Sequence, residues 1–235
     1  MAAEKIIEVS DLYASFGDRK VLSRVNFSAY RGQVTVIIGG SGSGKTTILK
    51  HLIGLYPVQQ GHVSVLGKNM SELEEDMQRA LYMQIGVFYQ NGALLNSMTV
   101  AENIALPLEQ HTKLSAAMIE RIVRLKLSLV DLENAYSLFP SQLSGGMLKR
   151  AAISRAMVMD PPLLFCDEPG AGLDPITLAS LDQLILNLRD QLGISVILVT
   201  HEVASILRIA DRIVFLEKGR VTYEGPVDEA LTSEN

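Results

Sequence analysis

A single cysteine, Cys166, stands in a chain of 235 residues. One thiol closes no intrachain disulfide and builds no cysteine zinc site, which fits a reducing compartment. No apolar run reaches the roughly 18–20 residues that a membrane-spanning helix needs. The opening MAAEKIIEVSD is acidic and lacks the apolar stretch of a signal peptide. An excess of basic residues is also missing: 21 Lys and Arg stand against 26 Asp and Glu, a net charge of -5. Non-specific nucleic-acid binders need a basic surface, so no nucleic acid is expected as a partner. Neither an internal repeat nor a low-complexity tract is visible. These absences together lead us to expect a cytoplasmic chain, or one held at a membrane through partners.

What is present suits one large domain, or a core with a smaller subdomain. Apolar residues make up 48% of the chain, enough for a substantial buried core. KIIEVSDLYASFGDRKVLSRVNFSAYRGQ alternates short apolar runs with turn residues and predicts a small antiparallel region. VTVIIG is β-branched and uncharged, as a buried strand should be. GKTTILKHLIGL then carries Ile48, Leu49, Leu52 and Ile53 at helical spacing. Residues 61–66 predict another strand, and SELEEDMQRALYMQ an exposed helix. Residues 99 to about 139 hold two or three helical patterns, followed by a helix-like stretch that Ser144, Gly145 and Gly146 open. PLLFCDEP and ISVILVTH predict a second and a third core strand. PITLASLDQLILNLRDQL and EVASILRIA predict helices, and RIVFLEKGRVTYEGP a hairpin. The repeated strand–helix order argues an α/β fold with binding loops at strand C-termini. Residues 1–96 and 160–235 are expected to form the core with its antiparallel β region, and residues 97–159 an inserted helical subdomain.

GGSGSGKTT, residues 39–47, satisfies the phosphate-loop pattern, with a strand before it and a helix after it. Gly39, Gly42 and Gly44 let backbone amides curl around phosphate, and the helix behind them adds its positive end. The expected cradle comprises Gly39, Gly40, Ser41, Gly42, Ser43, Gly44, Lys45, Thr46 and Thr47. Lys45 is placed to reach terminal phosphates, and Thr46 to set a hydroxyl on magnesium. Asp167 and Glu168 follow the buried LLFC, where two carboxylates are costly unless they are paired or face a site. Asp167 suits second-shell or water-mediated magnesium binding; Glu168 suits polarising an attacking water. Cys166, inside that strand, reads as a small core residue. His201 ends SVILVTH. Alone it reads as a structural hydrogen-bonder; beside a phosphate loop it could contact the terminal phosphate and orient water. Gln90 is equally open between a plain loop residue and an amide touching magnesium-bound or attacking water.

Taken together these residues resemble an ABC transporter ATPase subunit, over essentially the whole chain. GGSGSGKT is similar to the family's Walker A motif, LLFCDE to Walker B and LSGGM to the signature motif. Gln90, GAGLDP with Asp174, and His201 match the Q-, D- and H-loops. Phe16 stands where the family carries an adenine-stacking aromatic; a core role for Phe16, and stacking by Tyr13, are the other readings. Asp174 could equally cap the helix that follows it. The resemblance implies a P-loop NTPase core of the ABC ATPase type that hydrolyses ATP with Mg2+. It also implies two copies arranged head to tail. Ser144, Gly145 and Gly146 of one copy would then press against ATP held by the Lys45 loop of the other. The stretch from Gln90 to about Glu109 is the expected docking groove for a permease coupling helix.

Met147, where many relatives have glutamine, combines with GALL, ALPL and LDPIT to resemble the MlaF subgroup, also called the Mkl or Ttg2A type. That resemblance implies phospholipid or related lipid transport between envelope membranes. The expected place is the cytoplasmic face of the bacterial inner membrane. An MlaE-like permease and an MCE-domain protein are the expected partners. The chain stops at Asn235, which counts against tail-mediated dimer contacts and against a STAS-domain accessory protein. An amino-acid importer or a lipoprotein-releasing transporter would share every catalytic residue. A soluble ABC ATPase of DNA repair or translation would need a long coiled-coil insertion or tandem domains, and neither is visible.

Overall fold

A computed structural model describes residues 4–232. Lys5–Phe16 (β1) and Arg19–Tyr30 (β2) form the first strands, and Val34–Ile38 (β3) leads into Lys45–Leu52 (α1). Gln60–Val65 (β4), Lys68–Asn69 (β5), Glu75–Tyr82 (α2) and Ile85–Phe88 (β6) follow. Three helices come next: Val100–His111 (α3), Ala116–Ser128 (α4) and Gly145–Ala156 (α5). The chain then returns to Leu163–Asp167 (β7), Pro175–Leu192 (α6), Ser195–Val199 (β8) and Val203–Ile209 (α7). Arg212–Glu217 (β9), Arg220–Pro226 (β10) and Val227–Thr232 (α8) complete it.

Two sheets result. The smaller has the order β2-β1-β4-β5 and is antiparallel. The larger has the order β10-β9-β3-β8-β7-β6, parallel throughout except for the β9–β10 hairpin at its edge. Its central strands are apolar on both faces because both faces are covered. Successive side chains alternate sides. Val34, Val36, Leu164, Cys166, Val196 and Leu198 pack with the apolar faces of α3, α4, α5 and α6. Ile37, Leu163, Phe165, Ile197 and Val199 pack on the other side with α1 and the antiparallel sheet. Each such burial contributes about 1.5–3 kcal/mol.

Side-chain caps set where the helices start. Thr99 and Glu102 form a reciprocal capping box on α3, and Ser115 caps α4. Such caps contribute about 1 kcal/mol each by pairing amides that the helix leaves free. Asn103, fully buried, bonds the carbonyls of Leu95, Met98 and Thr99 and so ties the preceding loop to α3.

Three elements were not expected from the sequence: β5, β6 and α8. The predicted helix over SELEEDMQRALYMQ is shorter than its charge pattern implies. Ser71 is instead held in a turn by the Asn69 side chain, so the helix starts only at Glu75. Among the described residues no helix is long and apolar enough to cross a membrane. Residues 1–3 and 233–235 lie outside the described residues, so the expectation drawn from Asn235 does too.

Candidate nucleotide site

Strand order puts the chemistry in one row. β3, β8, β7 and β6 are successive neighbours, and Ile37, Val199 and Asp167 lie in register across the first three. Cys166 pairs with Phe88 across the last two. The segments leaving their C-terminal ends are therefore adjacent: the phosphate loop, His201, Asp167 with Glu168, and Gln90. The ends of parallel strands are where open α/β sheets bind ligands.

α1 begins behind Gly44 with no side-chain cap, which leaves its first amides available to an anion. Lys45 Nζ donates to the carbonyls of Gly39 at 2.7 Å and Gly40 at 3.1 Å, laying its ammonium across the loop. The glycines serve different needs. At Gly39 a Cβ would lie 2.1 Å from the Leu216 carbonyl oxygen of β9, so close packing demands glycine there. Around Gly42 there is open space, and its φ of +72° is the requirement. Ser43 is buried, and its hydroxyl has no partner in the protein.

A cleft of about 260 Å³ adjoins the loop, lined by residues 42–47 together with Phe16, Arg19 and Val21. Phe16 is 48% exposed and meets Tyr56 edge-on at 5.2 Å, so the core reading for Phe16 is overturned. Tyr13 lines a separate hollow beyond Phe16 and is absent from the loop cleft. Arg19 and Val21 were missed in the sequence. Their available signal was a spacing of two on the strand directly after the Phe16–Gly17 turn.

Asp167, at the end of β7, is half-buried. Burial pushes its carboxyl above the usual range, as does the neighbouring Glu168, while Lys50 and Lys45 pull it back. Glu168 has a left-handed backbone, φ +49°, pinned by its amide donating to the Val199 carbonyl at 2.8 Å. A non-glycine residue in that region stores strain, which is common at functional sites. The Glu168 carboxylate lies 2.9 Å from His201 Nδ1. That hydrogen bond, then the carboxylate charge, raises the His201 pKa. Gln90 sits exposed just beyond β6.

Ser144 caps α5, its hydroxyl accepting from the Met147 amide at 3.3 Å. Ser144 and Gly145 are exposed, and neither they nor Gly146 line the cleft beside this chain's own phosphate loop. The paired glycines are not equivalent. A Cβ at Gly145 would find its nearest neighbour, Leu173, at 3.8 Å, whereas one at Gly146 would lie 2.6 Å from Thr177 Cγ2. Asp174 does cap α6, accepting from the amides of Ile176 and Thr177 at 3.0 and 3.1 Å. Among the described residues no group of three or more His, Cys, Asp or Glu forms a self-sufficient metal cage. Thr46, Asp167 and Gln90 instead suit an ion held jointly with phosphate oxygens, the usual habit of magnesium.

Comparison with known proteins gives a consistent pattern. The fold matches the ATP-binding cassette MJ0796, solved as a dimer in a post-hydrolysis state with ADP and Pi. That match has a TM-score of 0.84 and 28% identity over 94% of this chain and 98% of the other. It also matches cbiO1 of Clostridium perfringens, part of the ABC transporter complex cbiONQ, at a TM-score of 0.90 and 27% identity. The shares covered are 98% of this chain and 92% of the other. Curated relatives include the probable ribonucleotide transport ATP-binding protein mkl of Mycobacterium tuberculosis, 38% identical over 97% of this chain and 64% of its own length. The intermembrane phospholipid transport system ATP-binding protein MlaF of Haemophilus influenzae is 36% identical over 99% of this chain and 88% of its own. The methionine import ATP-binding protein MetN of Brucella abortus is 38% identical over 94% and 60%. The chain thus spans less than two thirds of the mkl and MetN proteins, and three differently named cargoes stand at nearly equal identity. A family model described as "ABC transporter" matches residues 22–171, and the chain belongs to that family as an ATP-binding subunit.

Proposed function

We propose that this chain is the ATP-hydrolysing, energy-coupling subunit of a bacterial ABC transporter. The observation that carries this reading is the row of strand ends that sets the Glu168–His201 pair and Gln90 beside the Lys45 loop. Adenine stacks on Phe16, and the phosphates enter the cradle from Gly39 to Thr47. Lys45 moves from its loop carbonyls to the terminal phosphates. Glu168 accepts the proton of the attacking water, His201 holds that carboxylate in place and meets the terminal phosphate, and Gln90 orients the water. The orphaned Ser43 hydroxyl and the half-buried Asp167 support a magnesium nucleotide here. Thr46, Asp167 and Gln90 would hold the ion, which when bound offsets phosphate charge. Catalysis of this kind is mainly electrostatic positioning.

Ser144, Gly145 and Gly146 lie away from the chain's own cleft, which supports a second copy supplying them head to tail. In that dimer residues 97–159 form the part that turns toward the partner's ATP. A groove of about 650 Å³ between α2, β6 and the ends of α3 and α5 is the docking place for a permease helix. Of the stretch from Gln90 to Glu109, Pro107 is the residue that lines it. The likeness to MlaF, with 88% of that protein's length covered, favours lipid cargo, an MlaE-like permease and an MCE-domain protein at the inner membrane's cytoplasmic face. Likeness to MetN at 38% identity supports amino-acid import as the second reading. Recovery of the permease from native membranes, followed by its identification, decides between them.

Glu168→Gln should keep ATP binding and lose roughly 10²–10⁴-fold in turnover, the usual worth of a general base. Lys45→Ala should weaken nucleotide binding roughly tenfold or more, since a bond to a charged group is lost. Wild-type turnover in the first, or wild-type affinity and turnover in the second, measured with matched partners, would sink the assignment.

A further inference from the structure

The loop that carries Gln90 is held by α5, the same helix whose start bears Ser144 and the paired glycines. Lys149 Nζ donates to the Gln90 carbonyl at 2.5 Å and lies over the Phe88 ring, 5.5 Å from its centroid. Six residues further on, Arg155 donates to the carbonyls of Gly92 at 3.0 Å and Ala93 at 2.8 Å. Between these points the loop lies flush on the helix. A Cβ at Gly92 would sit 2.9 Å from Leu148 Cδ2 and 3.0 Å from Ala152 Cβ. Gly92 and Ala93 both take left-handed backbones, φ +71° and +51°, so the loop is bent to meet its donors.

Lys149 is 8% exposed, and burial lowers its pKa against the opposing charge of Glu168. Arg155 is half-buried, and that burial lowers its pKa against the opposing effect of Tyr89. Among the described residues neither cation has a carboxylate oxygen within 4.0 Å, and Lys149 feels the Glu168 charge only from further away. Burying a cation without a counter-ion costs more than filling the same space with an aliphatic side chain. Here the donors' hydrogen bonds offset part of that cost, and they fall on the backbone from Gln90 to Ala93. The two points lie roughly 9 Å apart along the helix axis, at 1.5 Å per residue. Arg155 also lines the 650 Å³ groove, so one rigid helix touches the groove, the glutamine loop and the exposed Ser144–Gly145 tip.

We propose that Lys149 and Arg155 form a two-point clamp that sets the Gln90 loop for ATP hydrolysis, both acting as positioning residues. The inference rests on the role given above to Gln90. It makes the position of Gln90 follow the orientation of α5. Magnesium-ATP hydrolysis by the full chain tests it in Lys149→Met, Lys149→Gln, Gln90→Ala and the double variant Gln90→Ala/Lys149→Met, with melting temperature and nucleotide affinity read alongside. Lys149→Met should lower kcat roughly ten- to hundredfold, as expected for misplacement of about an ångström, and leave KM and affinity near wild type. Lys149→Gln, which keeps a donor, should recover most of the loss. The double variant should be no slower than Gln90→Ala alone. Wild-type kcat in Lys149→Met beside an impaired Gln90→Ala overturns the clamp, as do losses that multiply in the double variant. Wild-type kcat in Gln90→Ala removes the glutamine's role, and the clamp with it. If Lys149→Met melts below assay temperature, Arg155→Met, which removes both donors, with the same Gln90→Ala cycle reads the second point.

Discussion

Glu168 and His201 hold one another at the mouth of the site, and their bond can be followed without any nucleotide. Because Glu168 raises the His201 pKa, Glu168→Gln should return that pKa toward the ordinary histidine value, measured by NMR titration of the imidazole. An unchanged midpoint would mean that the bond does not form in solution. The raised pKa also fixes the sign of its effect on folding. The pair's contribution is fully present below the unfolded-state histidine pKa and is lost as pH rises through the higher folded value. It is small, because the His201 side chain is 64% exposed. Residues whose neighbours are set by adjacent sequence were legible beforehand. Lys45 follows a glycine loop and Glu168 directly follows a buried strand. Lys149 was not legible, because its carbonyl partner lies 59 residues away and no local pattern announces that meeting. Arg19 escaped notice because its role depends on where the phosphate loop folds back.

At the level of elements, the junction of α5 with α6 gives a test that separates packing from ligand contact. Gly146→Ala would drive a methyl into Thr177 and should cost about 1–3 kcal/mol, the usual range for overpacking. Gly145→Ala, with Leu173 at 3.8 Å, should leave the monomer's stability within about 0.5 kcal/mol of wild type. Urea unfolding of the two variants checks the contrast, and equal destabilisation would contradict the local geometry. The long elements were readable from pattern: α6 spans the predicted PITLASLDQLILNLRDQL, and β3, β7 and β8 match their apolar runs. β6 was not, since four residues between an amphipathic helix and a glycine-containing loop carry too little periodicity. Its strand character comes from pairing with β7, a tertiary fact.

For the molecule as a whole, the proposed function places each nucleotide between two copies. Glu168→Gln with saturating magnesium ATP should therefore sediment as a dimer, and with ADP or no nucleotide as a monomer. A monomer in all three conditions, at ATP concentrations shown to saturate binding, would count against a composite site. The order of the larger sheet has a further consequence, for biosynthesis. β3, which leads directly into the phosphate loop, is flanked by β8 and β9, so Val34 meets Val196 and Thr35 meets Arg212. Neither neighbour exists while the first three quarters of the chain are being made. At ordinary elongation rates that strand waits roughly 10–40 s on the ribosome with both hydrogen-bonding edges bare. The loop's native packing also involves a late strand, since Gly39 lies against the Leu216 carbonyl of β9. Bare strand edges of this kind invite aggregation and chaperone capture.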